Sequence, residues 1–255
     1  MKLSIVIPLF NEVDNIPRLR DELLPVAEEL ATSNTVELIF VDDGSSDGTH
    51  DALALAFAGI ESPNLHLQIL RHPENRGLGA ALRTGFASCS GEVVVTADSD
   101  ASYTLGEIHT LLARLTPEVD IVTASPYHPG GGVEGVPFYR LLLSRGCSLV
   151  YRLLVDWRIH TYTSLFRAYR QAVVRHVAFT CDDHQAVTEI LVNALLLGCR
   201  VTEHPTILRR RWLGVSKANL ARTVRDHLKF QANVLLHRVT MKPLAELALS
   251  EKAAR

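Results

Sequence analysis

The run "VVVTADSDASY", residues 93–103, climbs in hydrophobicity and then ends on two carboxylates one residue apart, Asp98 and Asp100. Val93, Val94 and Val95 are β-branched and belong in a buried strand, whereas an unpaired buried carboxylate is strongly unfavourable. In an extended segment residues i and i+2 share a face, so the two aspartates can reach one hard divalent cation, Mg²⁺ or Mn²⁺. Such a cation keeps positions open for phosphate oxygens and water. The competing reading of an isolated Asp-x-Asp is an N-cap for the next helix. The pair alone does not separate the two.

Context favours the cation. Within "VDDGSSDGT", residues 41–49, Asp42 and Asp43 suit hydrogen bonds from a base or ribose, and Ser45 to Asp47 can cap the following helix. Asp47, Gly48 and Thr49 fit a structural turn equally well. "ENRGLGAALRTGF", residues 74–86, opens a helix with small residues. Its first amides, with Arg76 or Arg83, suit a phosphate. Tight packing of Gly79, Ala80 and Gly85 on a sheet explains the same residues.

The elements that must position these groups alternate. "LSIVIP", "VELIFVDDG", "LHLQIL", "GEVVVTADSD" and "VDIVTAS" read as strands, and amphipathic helical patterns lie between them. That order predicts an α/β fold, a mostly parallel sheet flanked by helices. Ligands of such sheets bind at the carboxyl ends of the strands. Pro8–Glu12, Asp42–Asp47, Arg71–Gly77 and Asp98–Asp100 all fall there, so four polar clusters converge on one edge. After residue 124 come a glycine-rich loop, a helix from about Pro137 to Leu154, and an irregular "TYTSLFRAYR". A helix near Asp183–Gly198, a strand near Arg200–Pro205, a loop "RRRWLGVSK" and a basic helix over 216–239 complete the pattern.

At 255 residues and 47% hydrophobic content the chain can bury one large core. Charge is unevenly placed. Residues 1–60 carry 3 basic and 11 acidic side chains, and residues 61–135 carry 4 and 9. Residues 136–255 carry 19 and 8, a net of +11 that suits an anionic partner. No RNA- or DNA-binding motif accompanies the basic half, so nucleic acid is not the expected partner. Cys89, Cys147, Cys181 and Cys199 are scattered, as in reduced cytoplasmic proteins. No run reaches the ~20 apolar residues of a spanning helix. The expected location is therefore cytoplasmic, at most peripheral on the cytoplasmic face of a membrane.

Gly130-Gly131-Gly132-Val133-Glu134-Gly135 satisfies G-x-G-x-x-G, with Asp156 about twenty residues on. A dinucleotide fingerprint belongs to the first strand–helix turn. Five strands precede this one, and Asp156 follows a Leu- and Arg-rich helical pattern. The dinucleotide reading is rejected.

Taken together, "SIVIPLFNEVDNI", "VDDGSSDGT", "NRGLGAALRTGF" and "ADSD" resemble the nucleotide-sugar part of family-2 inverting glycosyltransferases of the GT-A (Rossmann-like) fold. "YHPGGGVEGVPFYRLLLSRG", "TSLFRAYR" and "RWLGVSK" are similar to dolichol-phosphate mannosyltransferases and other polyprenyl-phosphate glycosyltransferases. The resemblance covers roughly residues 3–218. It implies a catalytic domain over 1–218, with 1–124 binding the nucleotide sugar and 125–218 the acceptor. Residues 219–255 would be a C-terminal, acceptor-side amphipathic helix and tail.

Position by position, the resemblance implies that Pro8, Phe10, Asn11 and Glu12, with Asp42 and Asp43, hold the base and ribose. Asp98 and Asp100 would hold Mg²⁺ or Mn²⁺, with Ser102 where many relatives carry a third ligand, often glutamine. Arg140 and Ser144 would contact the lipid phosphate, and four residues apart on one helix they can face the same anion. Arg211 and Lys217 match the basic pair near the donor diphosphate, and Glu189 a helix acid. Pro126 stands where the family has an acceptor-contacting arginine, which Arg145 or Arg167 would replace. "TYTSLFR" departs from "DxTSGFR", and the C-terminal spanning helices of many relatives are absent.

The implied reaction is metal-dependent inverting transfer of a hexose, mannose from GDP-mannose above all, to a polyprenyl phosphate. A phosphate nucleophile is already ionised and needs no general base. A saccharide or other hydroxyl acceptor needs one, with Glu189 or Asp182 as candidates. The alternative from another class is a non-catalytic nucleotide-sugar-binding subunit working with a membrane-protein partner. The helix at 216–239 carries Lys217, Arg222, Arg225, Lys229 and Arg238 against Asp226. With Leu220, Val224, Leu228 and Leu235 near one face it suits an anionic membrane surface, or packing on the core with a solvated basic back.

Overall fold

In the computed structural model, residues 1–60, 62–100, 102–210 and 220–240 are described, with backbone alone for 220–222. Strands β1 (Lys2–Leu9), β2 (Thr35–Asp42), β3 (Leu65–Arg71), β4 (Val93–Thr96) and β5 (Ile121–Ser125) alternate with helices. These are α1 (Ile16–Ala31), α2 (Thr49–Ala56), α3 (Leu78–Ser88) and α4 (Ile108–Arg114). The chain continues through β6 (Gly132–Glu134), α5 (Phe138–Leu154), β7 (Arg167–Arg170), α6 (Gln171–His176), α7 (Ala186–Leu196), β8 (Val201–Pro205), β9 (Ile207–Arg209) and α8 (Leu220–Thr240).

The main sheet has the order β3-β2-β1-β4-β7-β5-β8. β1 is parallel to β2 and β4, β2 to β3, and β5 to β8, while β7 runs antiparallel between β4 and β5. Both faces of the central strands are buried, which is why they read as nearly continuous apolar runs. Leu3, Ile5, Ile7 and Leu9 of β1 pack with Leu19, Leu23 and Ala27 of α1 on one face. Val6 points to the other, beside Ile39, Val41, Val94 and Ala81 of α3. A third cluster joins Tyr151 of α5, Leu191 of α7 and Phe230 and Val234 of α8. No cysteine is bridged, and burial pushes the Cys89 and Cys147 thiols up to about 12.

Three short elements depart from the expected pattern. "TYTSLFRAYR" ends in a strand, β7, which its two arginines disguise. Arg167 is fully buried in it, donating to Thr123 Oγ1 at 3.0 Å, Val187 O at 2.6 Å and Tyr162 O at 2.9 Å. The glycine-rich loop and the segment before Arg211 contain β6 and β9, paired in parallel as a second sheet. β7 and β8 complete the same sheet as β1–β5, so both sequence halves share one framework.

Candidate active site

The β1 and β2 ends are laced together by short polar bonds. Asn11 adopts φ +52°, a left-handed conformation that asparagine tolerates. Its N–H donates to Ser45 Oγ at 2.8 Å, and its Oδ1 accepts from Ser46 N at 2.8 Å. Glu12 N donates to Thr49 Oγ1 and Val13 N to Asp47 Oδ2. Burial opposes ionisation of Asp47, but its bonds from Thr49 and Val13 hold it below the usual carboxylate range. The turn reading of Asp47–Thr49 is therefore the better one.

Asp42 and Asp43 are both buried but do different work. Asp42 Oδ1 accepts from Ser45 N at 2.9 Å, and Arg71 Nε lies 3.4 Å from Oδ2. Asp43 accepts from His72 Nδ1 (2.6 Å), Asn75 Nδ2 (3.0 Å), Arg76 N (3.0 Å) and Gly77 N (2.7 Å). One carboxylate thus shapes the whole 72–77 loop, and Arg76 contributes its amide there while its side chain is exposed.

The start of α3 is closed by protein. Gly79 N donates to Asp182 O at 2.6 Å, and a Cβ on Gly79 would lie 2.0 Å from Cys181 O. Arg83 donates to Cys181 O and pairs with Asp182. A Cβ on Gly85 would lie 2.4 Å from Val6 Cγ1. Close packing, rather than a phosphate on the helix amides, accounts for this glycine pattern.

Two cavities meet at the carboxyl edge of the sheet. One, of about 320 Å³, is lined by Pro8, Phe10, Glu12, Asp43, Asp98 and Asp100, among others. Among its described lining residues five are acidic, these four together with Asp183, and none is lysine or arginine. The other, of about 600 Å³, is largely apolar and is lined by Tyr127, Leu142, Leu143, Val150, Arg140 and Ser144, among others. Asp98, Asp100, Leu165, His184 and Thr223 belong to both walls. Asp100 is buried, and its Oδ1 accepts from Ser102 N at 3.0 Å and Ser102 Oγ at 2.5 Å. Paired hard oxygen donors in an acidic cavity fit a divalent cation.

Several expected site residues stand elsewhere. Arg167 lines neither cavity and is satisfied inside the sheet, so it does not replace the family arginine at Pro126. Arg145 also lines neither cavity; it lies over the ring of Tyr127, a residue of the larger cavity's wall, 5.2 Å from the centroid. Glu189 also lines neither cavity. It accepts from Thr180 N, Thr180 Oγ1 and Cys181 N, holding the loop that packs on α3. That commitment makes it a positioning residue and corrects its expected catalytic role. Ser102 directs its hydroxyl proton at Asp100 and so orients that carboxylate. Ser144 shares a 2.8 Å bond with Thr163. Arg211, Lys217 and Arg222 lie outside the described side chains. Sequence reasoning missed Asp183 and His184, for which the polar string "CDDHQ" before α7 was the signal, and placed Asn75 only within the Arg71–Gly77 cluster.

A model of the family described as "Glycosyl transferase family 2" matches residues 4–178. The chain belongs to glycosyl transferase family 2. This glycosyltransferase is 32% identical over 219 residues to polyprenol monophosphomannose synthase of Mycolicibacterium smegmatis, covering 84% of this chain and 79% of that protein. It is 30% identical over 231 residues to dolichol-phosphate mannosyltransferase of Pyrococcus furiosus, covering 90% and 62%. The chain therefore spans less than two thirds of that second relative. Among solved structures, a mannosyltransferase from Pyrobaculum calidifontis in complex with GDP-Man and Mn²⁺ superposes with a TM-score of 0.60 at 20% identity. That likeness covers 94% of this chain and 64% of that one, and it supports the expected GT-A architecture.

Proposed function

We propose that this glycosyltransferase moves a hexose, mannose from GDP-mannose above all, onto a polyprenyl phosphate with inversion. The observation that carries the reading is the junction of the two cavities at Asp98 and Asp100. An acidic cavity bounded by Pro8, Phe10, Glu12 and Asp43 suits a nucleotide whose diphosphate arrives with a cation. A larger apolar cavity bearing Arg140 and Ser144 suits a phosphate carried on a hydrocarbon chain. The named activities of the M. smegmatis and P. furiosus relatives support the same donor and acceptor classes.

Asp98 and Asp100 would hold Mg²⁺ or Mn²⁺, which supplies neutralisation of the charge growing on the departing diphosphate. Asn11, Glu12 and Asp43 order the loops against which base and ribose rest. Arg140 would orient the acceptor phosphate. Arg211 and Lys217 complete the charge balance by sequence match. No general base is needed for an ionised phosphate. Glu189 and Asp182, the two candidates for a hydroxyl acceptor, are occupied with Thr180, Cys181 and Arg83. That favours the phosphate acceptor over the saccharide.

Membrane contact at 216–239 is part of the proposal. α8 packs on the core through Phe230 and Val234, yet Leu228 and Val239 are 61% and 74% exposed. On neighbouring α5, Phe138, Leu142 and Leu153 are exposed as well. Among the described residues no helix is long and apolar enough to cross a membrane. The test is transfer of radiolabelled mannose from GDP-mannose to a short polyprenyl phosphate in detergent, with Mn²⁺ present. Labelled lipid supports the reading, and transfer to a simple sugar alcohol with none to lipid overturns it.

A further inference from the structure

Behind the wall of the apolar cavity, three potential ligands from separate parts of the chain converge. His128 belongs to the turn after β5, His160 to the segment between α5 and β7, and Glu203 to β8. Each offers a ligand atom, and these atoms lie within 4.8 Å of one another. The imidazole centroids of His128 and His160 are 5.2 Å apart and their planes cross at 70°, edge toward face. The sequence gives no hint of this, since positions 128, 160 and 203 form no spaced motif.

Glu203 is prepared for the role. Its side chain is only 4% exposed, yet it faces no lysine or arginine within ion-pair distance among the described residues. Its Oε1 accepts the backbone N–H groups of His160 at 2.8 Å and Thr161 at 3.0 Å, which fixes the carboxylate plane. Its Oε2 is left on His160 Nδ1 at 2.7 Å. Carboxylates and imidazoles oriented by outer hydrogen bonds are the usual support of a metal site. His128 Nδ1 accepts only a long 3.2 Å bond from Gly130 N, which a cation can readily replace.

We propose that His128, His160 and Glu203 form a second divalent-cation site, distinct from Asp98 and Asp100 and of the chemistry that takes Zn²⁺. Two imidazole nitrogens and one carboxylate oxygen are a ligand set typical of zinc, with water completing a tetrahedron. Ligand atoms of a tetrahedral zinc lie about 3.4 Å apart. His160 Nδ1 and Glu203 Oε2, 2.7 Å apart, must therefore open by less than about 1 Å, and His128, within 4.8 Å of both, must close by at most about 1.4 Å. The entering cation takes the place of the proton between that pair, which moves to His160 Nε2 and leaves the Nδ1 lone pair of a neutral imidazole for the metal.

The consequence falls on the acceptor side. Thr161, whose N–H is held by Glu203, lines the apolar cavity. Its hydroxyl bonds Ser125 Oγ at 2.8 Å and accepts from Tyr127 N at 3.3 Å. A cation joining His128 to His160 and Glu203 staples the turn at 126–131 to that wall. The inference stands without the transferase reading, since none of its ligands lines the acidic cavity.

The test uses full-length, tag-free protein carrying Asp98→Ala and Asp100→Ala, which silences the first site. After incubation with Zn²⁺ and desalting, the expected content is one zinc per chain with a raised melting temperature. Adding His128→Ala should weaken zinc binding at least tenfold while leaving the circular dichroism spectrum unchanged. Zinc at background in the parent, or undiminished by His128→Ala, overturns the site. Should the aspartate variant not fold, wild-type protein with Co²⁺ answers instead. An intense visible band of a four- or five-coordinate ion that vanishes in His128→Ala supports the site, and its absence from wild type rejects it.

Discussion

Ser102 gives both its backbone N–H and its hydroxyl to one oxygen of Asp100, at 3.0 and 2.5 Å. The carboxylate is thereby locked in a loop that a further bond, from Arg209 N to Ser102 O at 2.9 Å, fastens to β9. In sequence, β9 precedes the basic stretch 211–217. Ser102→Ala removes the hydroxyl bond and should weaken apparent Mn²⁺ affinity about tenfold, within the 10–100-fold range of such supports. Ser102→Thr should restore it. Metal titration of transfer activity checks both variants.

Asp98→Asn and Asp100→Asn keep the shape of the loop and remove one anionic oxygen each. Transfer should fall by about a thousandfold or more, with Mn²⁺-dependent binding of nucleoside diphosphate lost by calorimetry. Full retention of that binding in both variants would reject the metal pair.

Arg140 and Arg167 separate surface chemistry from core structure. Arg140→Ala should raise the KM for polyprenyl phosphate about ten- to a hundredfold and leave the donor KM nearly unchanged, as expected for one charge-assisted hydrogen bond. Arg167→Met instead strands three buried acceptors around Thr123, Tyr162 and Val187. It should cost about 3 kcal/mol or more in urea unfolding, with no selective effect on acceptor.

Gly79→Ala forces a methyl group against Cys181 O and Ala186 Cβ, at 2.0 and 2.8 Å. The expected loss is roughly 1–3 kcal/mol. Because the displaced loop carries Asp183 and His184, the donor KM should rise as well. Gly146→Ala, in α5 with nothing within 4 Å of the added carbon, should instead gain up to about 1 kcal/mol in thermal stability.

His227 supplies a pH signature. Burial between α5 and α8 pulls its imidazole down to about 4, with Asp226 opposing and His184 adding to the shift. Tyr151 Oη lies 3.2 Å from its Nδ1. The unfolded chain then binds a proton at this residue before the folded one does, so stability must fall as pH drops from about 6.5 to 4. The full effect is about 3 kcal/mol. His227→Gln should flatten the urea-unfolding profile in that window. Glu37 acts lower: its bonds from Lys2, Ser4 and Ser90 outweigh burial and hold it at about 2, so its contribution is lost between 4.5 and 2.

The sequence by itself determined the α/β alternation, the family and the position of the polar clusters. A parallel sheet buried on both faces writes each strand as an apolar run, and the groups beyond its end must be polar because the chain there meets solvent or ligand. Asp98, Asp100, Glu12 and Asp43 were legible for that reason. Only the tertiary structure decided which polar residues face the cavities. β7 was hidden because Arg167 finds its partners in Thr123, Tyr162 and Val187, residues 44, 5 and 20 positions away along the chain. Glu189 was misassigned because its partners, Thr180 and Cys181, belong to a loop whose closeness to α3 no local pattern encodes. Periodicity reports burial along one element, whereas a polar side chain is assigned its work by whichever distant donor or acceptor the fold brings beside it.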